Sequence, residues 1–177
     1  MDSEHSEPIR GVDWSCQGDI VTASNDCSWI IRAFDNNKNN ISYCGNKKEN
    51  AHSDFIYSIC ITSNNKYVVT GSTDYKVGFW KIDNQELIGY GEAHDFFVWS
   101  VKPNYNLDNS SFVATTSSDG TVKIWETNEL TKGCIEPLYS LDVIANIDVV
   151  ACDFKNAVFE SEELKELLRK NGAIVSC

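Results

Sequence analysis

Apolar positions recur along the chain in short clusters separated by polar, turn-rich stretches. Counting from each histidine makes the recurrence plain. His5 is followed by Ile9, Val12 and Trp14, His52 by Ile56, Ile59 and Ile61, and His94 by Val98 and Val101. The offsets are four, seven and nine, and Pro103 is the one departure. Each run predicts a short β-strand with its apolar positions turned inward. A second pattern follows each first one. Thr22-x-Ser24-x-Asp26, Thr70-x-Ser72-x-Asp74 and Thr115-x-Ser117-x-Asp119 share the form T-x-S-x-D. Two of these lead straight into strands ending in Trp80 and Trp125. The first continues as CSWIIRAFD, which places Phe34 in the tryptophan position after about two extra residues. The apolar stretches ISYC (41–44), ELIGYG (86–91) and EPLYSL (136–141) each predict one more strand.

Histidine to histidine is 47 and then 42 residues, close to the period of a WD propeller blade. The segment DGTVKIWE at 119–126 and the dipeptides Glu4-His5, Ala51-His52 and Ala93-His94, standing where the family has Gly-His, complete the pattern. Over residues 5–142 the chain resembles the WD-repeat family. The resemblance implies an all-β propeller segment of three four-stranded blades, about 1–46, 47–91 and 92–142, followed by an incomplete fourth blade over 143–177. It also implies one buried hydrogen-bonded chain per blade. These would be His52, Thr70, Asp74 and Trp80, then His94, Thr115, Asp119 and Trp125. The first blade offers His5, Thr22 and Asp26, and Phe34 supplies no indole N–H. A buried network stabilises only when satisfied, and each group left unpaired costs about 1–3 kcal/mol, so the first blade should be the weakest.

The fourth unit departs from the others. Phe154 fits the ninth position after Ala145, with Val149 at the fourth and Cys152 at the seventh. SEELKELLRKNG then predicts a helix at about 161–170, with Ser161 as N-cap, Glu162 and Glu163 at the positive end, and Leu164, Leu167 and Leu168 on one face. A rival reading rests on a period of five through Ile144, Val149, Phe154 and Phe159, which resembles a pentapeptide-repeat solenoid. Few coils would fit, so the partial blade is the favoured expectation.

Charge narrows the partners. Fifteen Lys and Arg stand against 26 Asp and Glu, a net charge of −11. No Lys/Arg-rich block offsets it, which argues against nucleic acid and anionic membranes. No apolar run approaches a membrane span, and the polar, acidic first ten residues are unlike a signal peptide. The seven cysteines are scattered without a C-x-x-C pair, which fits reduced thiols in the cytoplasm or nucleus and gives no metal site. No cofactor motif is present, and all three histidines fall at the repeat position, leaving none as a general base. The expectation is therefore a protein without catalysis.

In WD-repeat proteins, partners dock on the top face around the channel. The resemblance implies that Pro8, Arg10 and Asn25, then Phe55, Tyr57 and Thr73, then Phe97, Trp99 and Ser118 face it. Strand alternation points the same way, since Ile56 and Val98 face the core and their aromatic neighbours face away. Arg10 is the one basic residue among these nine, which disfavours a phosphorylated ligand. The expected function is a protein-interaction scaffold presenting these aromatics to a partner protein or peptide. The alternative is a structural subunit, or a fragment of a longer propeller, that binds through open blade edges. Three and a half blades fall short of a closed ring, so a second copy or another subunit would complete it.

Overall fold

The T-x-S-x-D segments fold as turns that satisfy their own backbone. The serine hydroxyl accepts the aspartate N–H (Ser24 to Asp26, Ser72 to Asp74, Ser117 to Asp119) at 3.0–3.1 Å. The aspartate carboxylate then accepts the N–H two residues on, from Ser28, Lys76 and Thr121. The residue between them takes a left-handed backbone: Cys27 at φ 61°, Tyr75 at 73° and Gly120 at 82°. Short polar side chains that bond locally are what such turns favour.

The computed structural model describes residues 4–35, 40–41, 47–91, 94–104, 111–133 and 135–142. The expected fourth blade, its helix and the rival five-residue repeat lie outside them. The chain divides into two compact units, Met1–Ser140 and Leu141–Cys177, and the three sheets belong to the first save for the last two residues of β13.

Each T-x-S-x-D turn joins the second and third strands of an antiparallel sheet. The first sheet runs β1 (Ile9–Trp14), β2 (Asp19–Ser24) and β3 (Trp29–Asp35), and its outer position is shared by β4 (Asn40–Ile41) and β5 (Lys47–Lys48), both paired with β3. The second comprises β6 (Ile56–Ile61), β7 (Tyr67–Ser72), β8 (Val77–Lys81) and β9 (Leu87–Gly91). The third comprises β10 (Val98–Pro103), β11 (Phe112–Ser117), β12 (Thr121–Glu126) and β13 (Tyr139–Asp142). The outer strand of the third sheet begins at Tyr139, three residues later than EPLYSL suggests, and of ISYC only Ile41 is described. These are three propeller blades of one design.

Blades pack face on face. β6 lies against β1 and β2, and β10 against β6 and β7. Between the first two blades Val21, Ala23, Trp29, Ile56, Ile59, Ile61, Val68 and Trp80 form one core. Between the second and third, Val69, Val77, Phe79, Val98, Val101 and Trp125 belong to another. Each such large apolar side chain is worth roughly 1.5–3 kcal/mol when fully buried. Two polar ties fix the stacking: the Asp13 carboxylate accepts the Ile61 N–H at 2.8 Å, and the Ser58 hydroxyl accepts the Val101 N–H at 3.1 Å.

One expectation is corrected here. Ile9, Val12 and Trp14 are not inward but 55, 66 and 56% exposed, whereas Ile56, Ile59 and Ile61 are 0–4% exposed. The face is the same; the difference is that the first blade lies on this face of the second, and among the described residues no sheet covers it on the first.

A second correction concerns Phe34. Thr22 pairs with Ile30 just as Thr70 pairs with Gly78 and Thr115 with Lys123. Two residues further along stand Arg32, Trp80 and Trp125. Arg32, not Phe34, therefore occupies the tryptophan position, with no extra residues, because the turn holds its register.

Candidate partner-docking face

In the second and third blades the recurring polar residues form a closed chain of donors and acceptors. The Trp80 indole N–H donates to Thr70 Oγ1 at 2.9 Å. Thr70 and His52 Nε2 are 2.8 Å apart, and His52 Nδ1 lies 2.9 Å from the Asp74 carboxylate. Placing the imidazole proton on Nδ1 satisfies every group: Nδ1–H donates to Asp74 and Nε2 accepts from Thr70. The third blade repeats the set, with Trp125 to Thr115 at 2.9 Å, Thr115 to His94 at 2.8 Å and His94 to Asp119 at 3.0 Å. In the first blade His5 contacts Thr22 at 3.0 Å and Asp26 at 3.2 Å, and Lys47 adds an ion pair to Asp26 at 3.1 Å. Among the described residues no indole reaches Thr22 there. Trp29 is fully buried instead, and among the described residues its N–H finds no partner.

Burial lowers the pKa of His5 and His94 despite their aspartate neighbours. Burial works against the charge of Asp74, but the His52 hydrogen bond and the Ser53 and Lys76 N–H groups outweigh it and bring its carboxyl down to about 2. Asp26 and Asp119 are likewise held below the ordinary carboxylate range. An imidazole locked between a threonine and a carboxylate fixes the loop before each inner strand to the turn after the second.

That loop and turn form one edge of each blade. Asn25, Thr73 and Ser118 donate their N–H groups to the carbonyls of Pro8, Phe55 and Phe97, each at 3.0 Å. The hydroxyls of Ser24, Ser72 and Ser117 reach the carbonyls of Glu7, Asp54 and Phe96. The same stitches in three blades put Pro8 and Asn25, Phe55 and Thr73, and Phe97 and Ser118 at equivalent places along the edge.

The inner strands add a device that spacing alone did not reveal. Each pairs with its neighbour through a β-bulge, between Ile9 and Gly11, Ile56 and Ser58, and Val98 and Ser100. The residues passed over are Arg10, Tyr57 and Trp99. A bulge leaves its extra residue out of the ladder and re-aims it. The three meet across the blades. The Arg10 guanidinium lies 5.5 Å from the Tyr57 ring centroid, and the Tyr57 and Trp99 rings meet edge to face at 4.8 Å. Arg10 Nε also donates to Asn25 Oδ1 at 3.0 Å, and the Trp99 indole donates to the Ser118 hydroxyl.

Phe97 extends the row, its ring 5.8 Å from Trp99. Phe55 is exposed but joins no ring contact among the described residues, so it stands apart from the row. Two members absent from the strand-based reading complete it. Tyr75 and Phe96 both pack on Phe97 and are both exposed. Neither lies in a strand, so alternation could not point to them. The aromatic doublet Phe96-Phe97 and a tyrosine directly after the turn aspartate were the available signals.

Comparison with known proteins agrees with this geometry. The profile described as WD domain, G-beta repeat matches residues 2–31, 45–81 and 85–126. A guanine nucleotide-binding protein subunit beta-like protein of Encephalitozoon cuniculi is 29% identical over 129 residues, covering 71% of this chain and 36% of the relative. Eukaryotic translation initiation factor 3 subunit I of Saccharomyces cerevisiae is 24% identical over 155 residues, covering 81% of this chain and 42% of the relative. A probable cytosolic iron-sulfur protein assembly protein, the CIAO1 homolog of Caenorhabditis elegans, is 31% identical over 77 residues, covering 40% and 23%. The chain thus spans less than half the length of each of these relatives. With three matched repeats over more than half of its residues, the chain belongs to the WD40 repeat family.

Proposed function

We propose that the chain is a protein-interaction scaffold that presents the aromatic row of its turn edge to a segment of a partner protein. The observation that carries this reading is the repeated bulge. Three blades spend the same irregularity to lift Arg10, Tyr57 and Trp99 out of the ladder, and the lifted side chains join into one surface. Aromatic and arginine side chains dominate interface energetics. The blades hold the edge rigid and perform no chemistry: each histidine ring is engaged by a threonine and an aspartate of its own blade. A cytoplasmic setting belongs to the same reading, in line with the relative named as cytosolic. The acidic charge turns the surface away from nucleic acid and anionic lipid. The test is the double variant Tyr57→Ala with Trp99→Ala, which removes two joined members of the row. Partner capture by the tagged chain should be lost while circular dichroism and the thermal midpoint hold. Undiminished capture by a folded double variant would refute the reading.

One observation favours a second role. Ile9, Val12 and Trp14 expose on the first blade the face that the second and third bury. An apolar patch of this kind marks an association surface. On this reading the chain binds a second copy or another subunit through its open blade face. Light scattering after size exclusion gives the solution mass. A dimer that dissociates on Val12→Asp would establish the role for a second copy, and a monomer with no partner sensitive to that change would dismiss it.

A further inference from the structure

The far end of the aromatic row has a composition that points to a ligand class. Tyr75, Phe96 and Phe97 form a triangle of rings with centroids 5.7, 5.7 and 5.9 Å apart. Tyr75, Phe96 and Trp99 remain 41, 51 and 45% exposed, so ring faces are left uncovered. Tyr75 occupies the left-handed position of its turn at φ 73°, where the third blade has Gly120. A bulky side chain is disfavoured in that conformation, and such outliers gather at binding sites. The second blade thus keeps a tyrosine where glycine would fit with less strain, and the ring it gains is turned to the row.

The charge at this end is negative, and the Asp54 carboxylate already accepts the Phe55 N–H at 2.8 Å. Asp95 directly precedes Phe96, and Asp54 directly precedes Phe55. Neither carboxylate enters an ion pair among the described residues. The nearby cations are directed elsewhere: Arg10 over Tyr57, Lys47 to Asp26 and Lys76 over Tyr90. The whole chain carries −11. Ring faces attract cations through their quadrupole, and the carboxylates and the net charge add attraction of the same sign.

We infer that the corner formed by Tyr75, Phe96, Phe97, Trp99 and Asp95 receives a basic segment of the partner, with an arginine side chain stacked on the exposed rings and its charge met by the carboxylate. This rests on the docking-face reading above and gives it a ligand class. Arginine is favoured over lysine because its flat guanidinium stacks on a ring and bonds a carboxylate at once. The site's own arrangement of Arg10 on Tyr57 shows the stacking on a neighbouring ring.

The probe is a random twelve-residue peptide library displayed on phage and selected against the full chain, followed by titration of the recovered peptides. The inference expects peptides rich in arginine. Their affinity should fall at least tenfold in Trp99→Ala and about three- to fivefold in Asp95→Asn, and should weaken as salt rises. Tyr75→Gly separates recognition from folding. Binding should fall while the thermal midpoint rises, because glycine relieves the turn; a merely structural tyrosine would lower the midpoint. Neutral or acidic peptides that still depend on Trp99 would overturn the basic ligand and leave the docking face standing. Peptides indifferent to Trp99, or no peptides at all, would overturn the docking face and the inference together.

Discussion

Two buried tryptophans in one core give a controlled test of what the blade network contributes. Trp80 and Trp29 are 1 and 0% exposed, belong to the same cluster, and meet edge to face at 6.0 Å. Trp80 also meets the His52 and Tyr90 rings edge to face. The contrast that matters is at the indole nitrogen: the Trp80 N–H donates to Thr70, while among the described residues the Trp29 N–H has no partner. Phenylalanine at either site removes comparable ring volume, a loss of about 1–2 kcal/mol. At position 80 it also deletes a buried hydrogen bond and leaves Thr70 short of a donor, worth about 1 kcal/mol more. At position 29 it removes a buried, unpaired polar group, which returns about 1 kcal/mol. Trp80→Phe should therefore cost about 2–3 kcal/mol and Trp29→Phe less than about 1 kcal/mol. Urea unfolding followed by far-ultraviolet circular dichroism measures both without relying on the tryptophans as reporters. Equal losses, or a larger loss at position 29, would refute the claim that the hydrogen bond, and not ring burial alone, distinguishes the two.

Three further outcomes follow from the same structure. Arg32→Trp supplies the missing indole opposite Thr22 and should raise the thermal midpoint by about 2–4 °C, the shift expected of one added hydrogen bond in a chain of this size; a fall would show that Arg32's own contacts outweigh it. Gly89→Ala drives a Cβ into the backbone carbonyl of Gly133, and should cost about 2–3 kcal/mol by chemical denaturation. Stability should decline in two stages as pH falls. His5 and His94 resist protonation when folded, so their contribution is complete above the ordinary imidazole value of 6.5 and is lost below it. Asp74, with its carboxyl near 2 against an ordinary 3.8, adds a second loss across that interval. A denaturation midpoint flat between pH 7 and 3 would contradict both assignments.

The blades were legible because their local rules agree with one another. T-x-S-x-D closes its own turn, the apolar offsets mark the buried face, and both recur at one period. What escaped were features that local pattern does not encode. Phe34 looked like the tryptophan counterpart because it is aromatic, yet the constant six-residue reach from Asp26, Asp74 and Asp119 leads to Arg32, Trp80 and Trp125. Ile9, Val12 and Trp14 obey the inward pattern, but burial needs a neighbour as well as a pattern. The bulges were present in the offsets, since four and seven cannot both face inward on a regular strand. Plain alternation around Ile56 and Val98 thus selected Tyr57 and Trp99 without the irregularity that re-aims them. Tyr75 and Phe96 lie beyond any strand, where periodicity says nothing.

The bulge has a consequence for how such a surface changes over generations. Arg10, Tyr57 and Trp99 belong neither to the ladder nor to an interblade core. A substitution at any of them leaves the strand pairing and the buried faces untouched. On the proposed docking role, recognition and folding are therefore written in separate letters of one repeat. Selection is then free to rewrite these three letters, blade by blade, while the frame that holds them in line stays constant.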